Sequence, residues 1–249
     1  MIRILGVIPA RYASSRFPGK PLADIGGKTM IHRVYEQAGK SDRIERVVVA
    51  TDNQEIFDHV ADFGGEARMT MANHPSGTDR CYEAYNQLGE SYDYIVNIQG
   101  DEPFIQPAQI DLLASKLDRK TEIATLIKRI ELEDELSNTG EVKVVKDCND
   151  TALYFSRAAI PYLRGVSQDK WLLNHTFYKH IGLYAFRHDI LKAVTSLPVS
   201  PLEQAESLEQ LRWLEQGYRI KVAETEIESL CVETPGDLQR AVEYLKDLA

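Results

Sequence analysis

The sequence contains few cysteines, and their spacing does not suggest that they pair with one another or bind a metal. Its 249 residues include three cysteines, Cys81, Cys148 and Cys231. They are widely separated, odd in number and outside any CxxC pair, so we expect neither a disulfide framework nor a zinc site. The short apolar start of the chain contains Arg3 and ends at Pro9. This is not the pattern of a signal peptide, and we expect a cytoplasmic protein.

Long apolar runs and an excess of positive charge are also lacking. No run approaches the length of a transmembrane helix, so membrane insertion is not expected. The 38 acidic residues outnumber the 29 basic ones, and the formal net charge is −9. This negative field disfavours nonspecific binding to nucleic acid, although a local basic pocket can still bind a small anion. The length suits one large α/β domain, and we predict a single domain over residues 1–249.

Two familiar nucleotide-binding fingerprints are absent. GxGxxG does not follow the first apolar segment, so a dinucleotide-binding fold is unsupported. The sequence Gly26-Gly27-Lys28-Thr29 resembles the end of a P-loop, but Leu22 occupies the position of the first required glycine. Any nucleotide must therefore be held in another way.

Apolar and amphipathic segments alternate through the first half of the chain. Predicted strands cover residues 2–9, 46–51, 67–70, 93–99 and 123–128. Predicted helices cover residues 29–38, residues 52–63 with Asp52 as N-cap, and residues 78–88 with Thr78 as N-cap, and another helix begins at Pro107. This alternation predicts an α/β fold with a mostly parallel sheet and helices on both faces.

The second half has a different pattern, with several strands and few helices between them. Predicted strands cover residues 142–146, 152–156 and 181–187, and a long polar connection covers residues 160–176. We interpret residues 142–187 as an insertion on the sheet that reaches a partner subunit. Beyond the insertion we predict one amphipathic helix over residues 202–215, a strand over 219–223 and a last helix from Pro235.

The loop after the first predicted strand carries three cations. Arg11, Arg16 and Lys20 lie close together among small side chains. Ligands of open α/β sheets bind at the carboxyl ends of the strands, where cations and backbone N–H groups suit an anion. We therefore predict a site for a polyanion, most simply a polyphosphate.

A second polar turn follows another apolar strand. Gln99, Gly100 and Asp101 come there in succession, and the glycine permits a close backbone approach. A carboxylate at a strand end beside a polyphosphate suits Mg²⁺, which prefers one or two carboxylates together with phosphate oxygens. The Ser-Gly-Thr segment at 76–78 begins a predicted helix, so its backbone N–H groups are free for a base edge or a phosphate.

Five polar residues in the second half suit a sugar acid. Arg157 and His180 are residue types that bind a carboxylate. Tyr184, Glu209 and Gln210 are residue types that bind hydroxyl groups. His180 and Tyr184 share strand parity, so we expect both to face the same side of the sheet. Taken singly, each of the five also fits an ordinary surface or core position.

Eight segments, in their order along the chain, resemble those of one enzyme family. They are IPARYASSRFPGKPL, VVVATD, SGTDR, VNIQGDEP, ALYFSRAAIP, YKHIGLYAF, LEQLRWLE and ETPGDL. Together they are similar to the 3-deoxy-manno-octulosonate (Kdo) cytidylyltransferases. The resemblance implies transfer of CMP from CTP to Kdo with Mg²⁺, release of pyrophosphate and a product used in lipopolysaccharide synthesis. It also implies a three-layer nucleotide-binding α/β sandwich with a mixed sheet, and a homodimer whose insertion covers the sugar site.

The resemblance also implies roles for individual residues. The catalytic residues would be Arg11, Lys20 and Asp101, and Asp101 would also bind Mg²⁺. The nucleotide contacts would be Ala10, Arg11, Lys20, Ser76, Gly77, Thr78, Arg80 and Gln99. The sugar contacts would be Arg16, Arg157, His180, Tyr184, Glu209 and Gln210.

One position departs from the family pattern. The family usually has an aspartate as a second Mg²⁺ ligand, two residues before the proline of the last segment, and this chain has Glu233 there. We expect Glu233 to bind the metal as well, although its extra methylene moves the carboxylate by about 1.5 Å.

Several alternatives stay open at the level of the sequence. The acceptor can be a related sugar acid, either an 8-amino form of Kdo or a sialic acid. A protein of another class, a non-catalytic regulator that binds a nucleotide, is also possible. The sequence also leaves open whether Arg16 contacts the phosphate or the sugar.

Overall fold

One sheet organises the molecule, as seen in a computed structural model that describes residues 2–13, 17–228 and 230–247. Its strands in the described chain are β1 (Ile4–Ala10), β2 (Arg46–Thr51), β3 (Ala67–Met69), β4 (Tyr94–Asn97), β5 (Ile123–Arg129), β6 (Lys143–Lys146), β7 (Ala152–Ser156), β8 (Tyr178–Arg187) and β9 (Ile220–Glu224). The main order is β3-β2-β1-β4-β8-β5-β9. Neighbours in this order are parallel except at β8, which is antiparallel to β4 and β5. The mixed, mostly parallel sheet is confirmed.

Helices cover both faces of this sheet. They are α1 (Met30–Ala38), α2 (Gln54–Asp62), α3 (Gly77–Leu88), α4 (Pro107–Ala114), α5 (Glu133–Ser137), α6 (Trp171–Asn174), α7 (His188–Val194), α8 (Pro201–Glu206), α9 (Glu209–Glu215) and α10 (Pro235–Asp247). One apolar core lies against α1, α2 and α4, and a second lies against α3, α7 and α9. The predicted three-layer sandwich is confirmed. No helix in the described parts of the chain is both long enough and apolar enough to span a bilayer.

The carboxyl ends of β1 and β4 lie side by side. The two strands pair in parallel from Ile4 and Tyr94 to Val7 and Asn97. The turn after β4 then passes very close to β1, because a Cβ on Gly100 would lie only 2.8 Å from the carbonyl oxygen of Pro9. Glycine is required at such a distance. The loop after β1 and the turn after β4 therefore meet at one edge of the sheet.

The insertion adds an antiparallel hairpin to the start of β8. β6 pairs with β7 along its length and with β8 through Lys143 and Lys179. β8 begins earlier than the predicted 181–187, because its first residues pair with the end of β5. The β-rich character predicted for residues 142–187 is therefore correct, and the hairpin lies at the same edge as the carboxyl ends of β4 and β5.

A bulge interrupts β8 just before Tyr184. The register of its pairing with β5 shifts by two residues at this point. The side-chain amide of Gln99, beyond the end of β4, donates a hydrogen bond to the carbonyl of Gly182 at 3.1 Å. The bulge adds two residues to β8, an even number, so side chains before and after it still alternate between the same two faces of the sheet. The rings of His180 and Tyr184 accordingly lie 5.1 Å apart. The prediction that both face one side is confirmed.

The N-cap of α2 is Asn53, and the prediction of Asp52 was wrong. The Asn53 side-chain oxygen accepts a hydrogen bond from the backbone N–H of Ile56 at 3.0 Å. The carboxylate of Asp52 instead lies 3.1 Å from the guanidinium of Arg80. Aspartate and asparagine are both good N-cap residues. Asp52 is paired with Arg80, which is distant in the sequence, and Asn53 therefore caps the helix.

The N-cap of α3 also differs from the prediction. Ser76, and not Thr78, caps this helix by accepting a hydrogen bond from the backbone N–H of Asp79 at 3.2 Å. Thr78 lies inside the first turn and is buried. Its hydroxyl is used elsewhere, in a contact with Glu209.

The single helix predicted over residues 202–215 is two helices, α8 and α9. Ser207 between them has a left-handed backbone with φ of 52°. Glu206 at the end of α8 is held by β7, because its carboxylate accepts hydrogen bonds from the Ser156 hydroxyl at 2.7 Å and the Arg157 backbone N–H at 2.9 Å. This anchoring ends α8 and lets α9 take a new direction.

We expect Asn53→Ala to lower the free energy of unfolding by about 1 kcal/mol, because the first turn of α2 loses its cap. Urea denaturation measures this change. Gln54→Ala is the control, since Gln54 is exposed in the same turn and its hydrogen bond goes only to Asp58. Equal stability of Asn53→Ala and the wild-type protein would contradict the cap assignment.

Candidate active site

Three loops at the carboxyl edge of the sheet surround a cavity of about 250 Å³. One loop follows β1, one precedes α3 and one follows β4. The cavity is lined by most of the residues for which nucleotide or catalytic roles were predicted, namely Ala10, Arg11, Lys20, Ser76, Gly77, Arg80, Gln99 and Asp101. Residues from three distant parts of the sequence thus form one site.

Lys20 and Asp101 form an ion pair in the lining of the cavity. The Nζ of Lys20 lies 2.7 Å from a carboxylate oxygen of Asp101, and the side chains are 17% and 25% exposed. Lys20 opens a 3₁₀ turn directly after Gly19, whose φ of 69° lies in the left-handed region that favours glycine. Arg11 lines the same cavity. Two cations and one carboxylate in the lining of one cavity suit a polyphosphate accompanied by a metal ion.

The start of α3 forms another part of the cavity wall. A Cβ on Gly77 would lie 3.3 Å from a side-chain carbon of Pro9, so the helix start packs closely against the end of β1. The Arg80 guanidinium is buried and already engaged, donating to the Thr70 hydroxyl at 2.6 Å and to Asp52 at 3.1 Å. These contacts hold Arg80 in place, so that it stabilises this part of the cavity wall.

Glu209 connects this wall to the second group of predicted residues. Its carboxylate accepts hydrogen bonds from the hydroxyls of Ser76 at 2.9 Å and Thr78 at 3.0 Å. Burial raises the pKa of Glu209, while these two hydrogen bonds act in the opposite direction. Thr78 thus lies behind the cavity wall, where it holds Glu209, and is not among the residues that line the cavity.

His180 and Tyr184 form a polar patch on β8 beside Glu209. The Nε2 of His180 lies 2.9 Å from the Thr125 hydroxyl. Burial lowers the pKa of His180 to about 3, so its ring is neutral near pH 7. The sequence predicts that His180 binds a carboxylate, but the buried ring offers only a neutral hydrogen-bonding group.

Tyr184 and Asn97 are cross-strand partners with unused polar atoms. The two residues pair between β8 and β4, and both are buried. Within the described chain, the Tyr184 hydroxyl and the Asn97 side-chain oxygen have no hydrogen-bond partner. Burial and the nearby charge of Glu209 raise the pKa of Tyr184, which keeps its hydroxyl protonated. Buried polar atoms without partners are rare and indicate that water or a ligand completes them.

Arg157 and Gln210 lie at the edge of this second group. The Arg157 Nε donates to the Glu206 carbonyl at 2.7 Å, so its guanidinium is attached to the turn between α8 and α9. Gln210 is buried in the first turn of α9, next to Glu209. Arg16, the remaining predicted sugar contact, lies outside the described residues.

Glu233 lies in a segment that is attached to the Asp101 turn. The backbone N–H of Val232 donates to the Asp101 carbonyl at 2.8 Å, and the N–H of Glu233 donates to Asp237 at 3.0 Å. In the described part of the chain, no group of three or more His, Cys, Asp or Glu residues could hold a metal ion. One or two carboxylates that need phosphate oxygens and water to complete the shell fit Mg²⁺.

The sequence did not single out several residues that the structure places at the site. Pro9, Pro21, His74, Pro75 and Gly100 also line the cavity. The close backbone approach predicted at Gly100 is confirmed, and the residue it approaches, Pro9, follows from the pairing of β1 and β4. His74 lies just before the cap of α3, and this position was the only local signal for it.

Comparisons with known proteins agree with this geometry. A sequence model of the cytidylyltransferase family matches residues 5–222. A 3-deoxy-manno-octulosonate cytidylyltransferase of Parabacteroides distasonis is 56% identical over 98% of this chain and 99% of its own length. The enzyme of the same name from Cytophaga hutchinsonii is also 56% identical, over 96% of each chain.

A solved structure gives the same result at the level of the fold. The CMP:2-keto-3-deoxy-manno-octonic acid synthetase, solved in complex with CTP, superposes with a TM-score of 0.92 at 40% identity. The match covers 99% of this chain and 100% of that one. The resemblance found in the eight sequence segments is therefore confirmed, and the chain belongs to the cytidylyltransferase family, among the 3-deoxy-manno-octulosonate cytidylyltransferases.

Proposed function

We propose that this chain transfers CMP from CTP to 3-deoxy-manno-octulosonate and releases pyrophosphate, supplying an activated sugar for lipopolysaccharide synthesis. The observation that carries the proposal is the cavity itself. The Lys20–Asp101 pair, which suits a triphosphate, lines it together with the start of α3, and Glu209 joins the start of α3 to a second polar patch. This arrangement offers one place for a nucleotide and an adjacent place for a polyhydroxy acid.

The reaction needs no nucleophile from the protein. The anomeric hydroxyl oxygen of the sugar forms a bond to the α-phosphorus of CTP, the bond to pyrophosphate breaks, and the hydroxyl proton passes to water. Such a transfer depends on positioning and on stabilising negative charge. Arg11 and Lys20 would hold the triphosphate and stabilise the charge that develops on its oxygens.

We propose Mg²⁺ as the metal, held by Asp101 and Glu233. Mg²⁺ supplies positive charge to the phosphate oxygens and lowers the pKa of a coordinated hydroxyl. This proposal is supported by the two carboxylates, since oxygen ligands suit Mg²⁺. Asp101 lies beside Lys20, and the segment that contains Glu233 is attached to the Asp101 turn. With Asp101 as a metal ligand, Lys20 would be available to bind phosphate.

We propose that the sugar acid lies over the patch formed by His180, Tyr184 and Glu209. The neutral His180 ring and the unpartnered Tyr184 hydroxyl suit hydroxyl groups. The carboxylate of the sugar then needs a cation, for which Arg157 is the candidate among the described residues of this patch.

The functional form proposed here is a homodimer in the cytoplasm. Residues 142–187 expose three large apolar side chains, Leu153, Tyr162 and Leu173, at 61%, 74% and 85%. Exposed apolar side chains on one segment favour an interface between subunits. The location is proposed because CTP is made in the cytoplasm and because the three cysteines are free thiols.

The choice of acceptor is tested by pyrophosphate release with CTP, Mg²⁺ and a panel of sugar acids. We expect the highest kcat/KM with Kdo, and lower values with its 8-amino form and with sialic acid. The absence of release with Kdo would contradict the proposed activity. Binding of CTP without turnover on any sugar of the panel would support a non-catalytic regulator instead.

We expect Asp101→Asn to lower kcat by at least about 10²-fold at saturating Mg²⁺, because the amide keeps the shape but loses the charge that binds the metal. Pyrophosphate release measures kcat, and circular dichroism checks the fold. Asp42→Asn, an exposed aspartate away from the cavity, serves as the matched control. Near-normal turnover of Asp101→Asn would remove Asp101 from the proposed metal site.

The double variant Leu153→Glu/Leu173→Glu should be a monomer, because two charges replace exposed apolar groups of the insertion. Light scattering coupled to size-exclusion chromatography gives the mass. Leu132→Glu is the control, since Leu132 is 63% exposed but lies outside residues 142–187. A dimeric double variant, or a monomeric wild-type protein, would contradict the proposed interface.

A further inference from the structure

Ser76, in the lining of the cavity, lies between two carboxyl groups. Its Oγ is 2.6 Å from Oδ2 of Asp79 on α3 and 2.9 Å from Oε1 of Glu209 on α9. The same Oγ accepts a hydrogen bond from the backbone N–H of Asp79 at 3.2 Å, as the cap of α3. All three residues are partly shielded from solvent. They form what we call the Asp79–Ser76–Glu209 group.

The hydrogens of this group do not suffice if both carboxyl groups are ionised. A hydroxyl has one hydrogen and a carboxylate has none. Both oxygen–oxygen contacts of Ser76 have the length of a hydrogen bond, so each requires a hydrogen between its two oxygens. The backbone N–H of Asp79 is no substitute, because it points at the Ser76 oxygen. One further hydrogen, carried by one of the two carboxyl groups, completes both contacts.

The surroundings of Glu209 favour the retention of that hydrogen. Burial raises the pKa of Glu209, and the neighbouring charge of Asp79 acts in the same direction. The hydrogen bonds from Ser76 and Thr78 and the charge of Arg212 act in the opposite direction, but the net shift of the pKa is upward.

The other titratable groups that act on Glu209 within the described chain supply no uncommitted positive charge. Cys81 lies on α3 and Tyr184 on β8, and burial raises the pKa of both, so the thiol and the hydroxyl are neutral near pH 7. On α9, the guanidinium of Arg212 is paired with Glu203 at 2.6 Å. Two ionised carboxyl groups in this place would therefore repel each other without a cation of their own.

We propose that Asp79 and Glu209 hold one proton between them near pH 7, and that this proton lets the patch of His180, Tyr184 and Glu209 accept an anionic sugar. The Ser76 hydroxyl donates to the ionised carboxyl group and accepts from the protonated one, so the two carboxyl groups titrate as a pair. Loss of the proton to water at higher pH adds a negative charge beside the patch, which repels the carboxylate of the sugar. The inference rests on the proposed binding of a sugar acid at this patch.

Infrared difference spectra test the shared proton directly. We expect the wild-type protein at pH 7 to show the absorbance of a protonated carboxyl group that is absent from both Asp79→Asn and Glu209→Gln. In either variant the new amide donates to Ser76 Oγ, and the hydroxyl donates to the remaining carboxylate, so no extra hydrogen is needed. Glu215→Gln is the matched control, since Glu215 is exposed on the same helix and its removal should leave this absorbance unchanged.

The effect on the acceptor is tested by the KM for Kdo as a function of pH, at saturating CTP and Mg²⁺. In the wild-type protein we expect this KM to rise by at least about threefold as the pair loses its proton, because a second negative charge appears. In Asp79→Asn and in Glu209→Gln the rise should be absent, since neither variant has a proton to lose there. A variant with a merely disturbed wall would change the KM by the same factor at every pH.

The infrared result does not depend on turnover, which separates this inference from the proposed function. If the wild-type protein releases no pyrophosphate, the proposed function fails, and the spectra still decide whether the proton is shared. A wild-type protein without the absorbance at pH 7, or an absorbance that persists in Asp79→Asn, would overturn the shared proton. A KM for Kdo that stays constant while the absorbance disappears would overturn its role in binding the acceptor.

Discussion

The close approach of two backbones at the edge of the sheet is the constraint on which the site depends. Gly100 lies so near Pro9 that a Cβ there would be 2.8 Å from the Pro9 carbonyl oxygen. This contact brings the turn after β4 against the end of β1, and Asp101 then lies opposite Lys20. Any larger residue at position 100 would separate the carboxylate from the lysine and open the cavity between them.

A second constraint joins the nucleotide wall to the sugar patch. Glu209 on α9 is held by the Ser76 and Thr78 hydroxyls of the α3 start, and it lies near Tyr184 on β8. A buried carboxylate with two donors is rigid, because any displacement would leave a charged group without partners in a site shielded from water. One side chain thus links the start of α3, which lines the cavity, to the polar residues of β8.

The nucleotide end of the site could be predicted from the sequence because its signals are local. Lys20 lies in the loop that follows β1, Asp101 lies in the turn that follows β4, and the carboxyl ends of neighbouring parallel strands meet at one edge of the sheet. The family resemblance then assigned roles that spacing alone could not. The alternation of strands and helices could also be predicted, because the spacing of apolar residues differs between strands and helices.

Other features could not be predicted because they depend on partners far away in the sequence. Asp52 was a reasonable cap for α2 until the fold placed Arg80 beside it. The helix over 202–215 is broken because Glu206 is bound to the end of β7, some fifty residues earlier in the chain. The neutral state of His180 follows from burial, which no local pattern reveals.

The direction of β8 has a consequence for how such enzymes diverge. Because β8 runs against β4 and β5, its first residues lie at the carboxyl edge, where the β6–β7 hairpin attaches through Lys143 and Lys179. The hairpin can change in length or composition without altering the pairing of β1 with β4, which supports the nucleotide cavity. The hairpin and the strand pair that supports the cavity are thus separable parts of one sheet, so that a change in the first can leave the second intact.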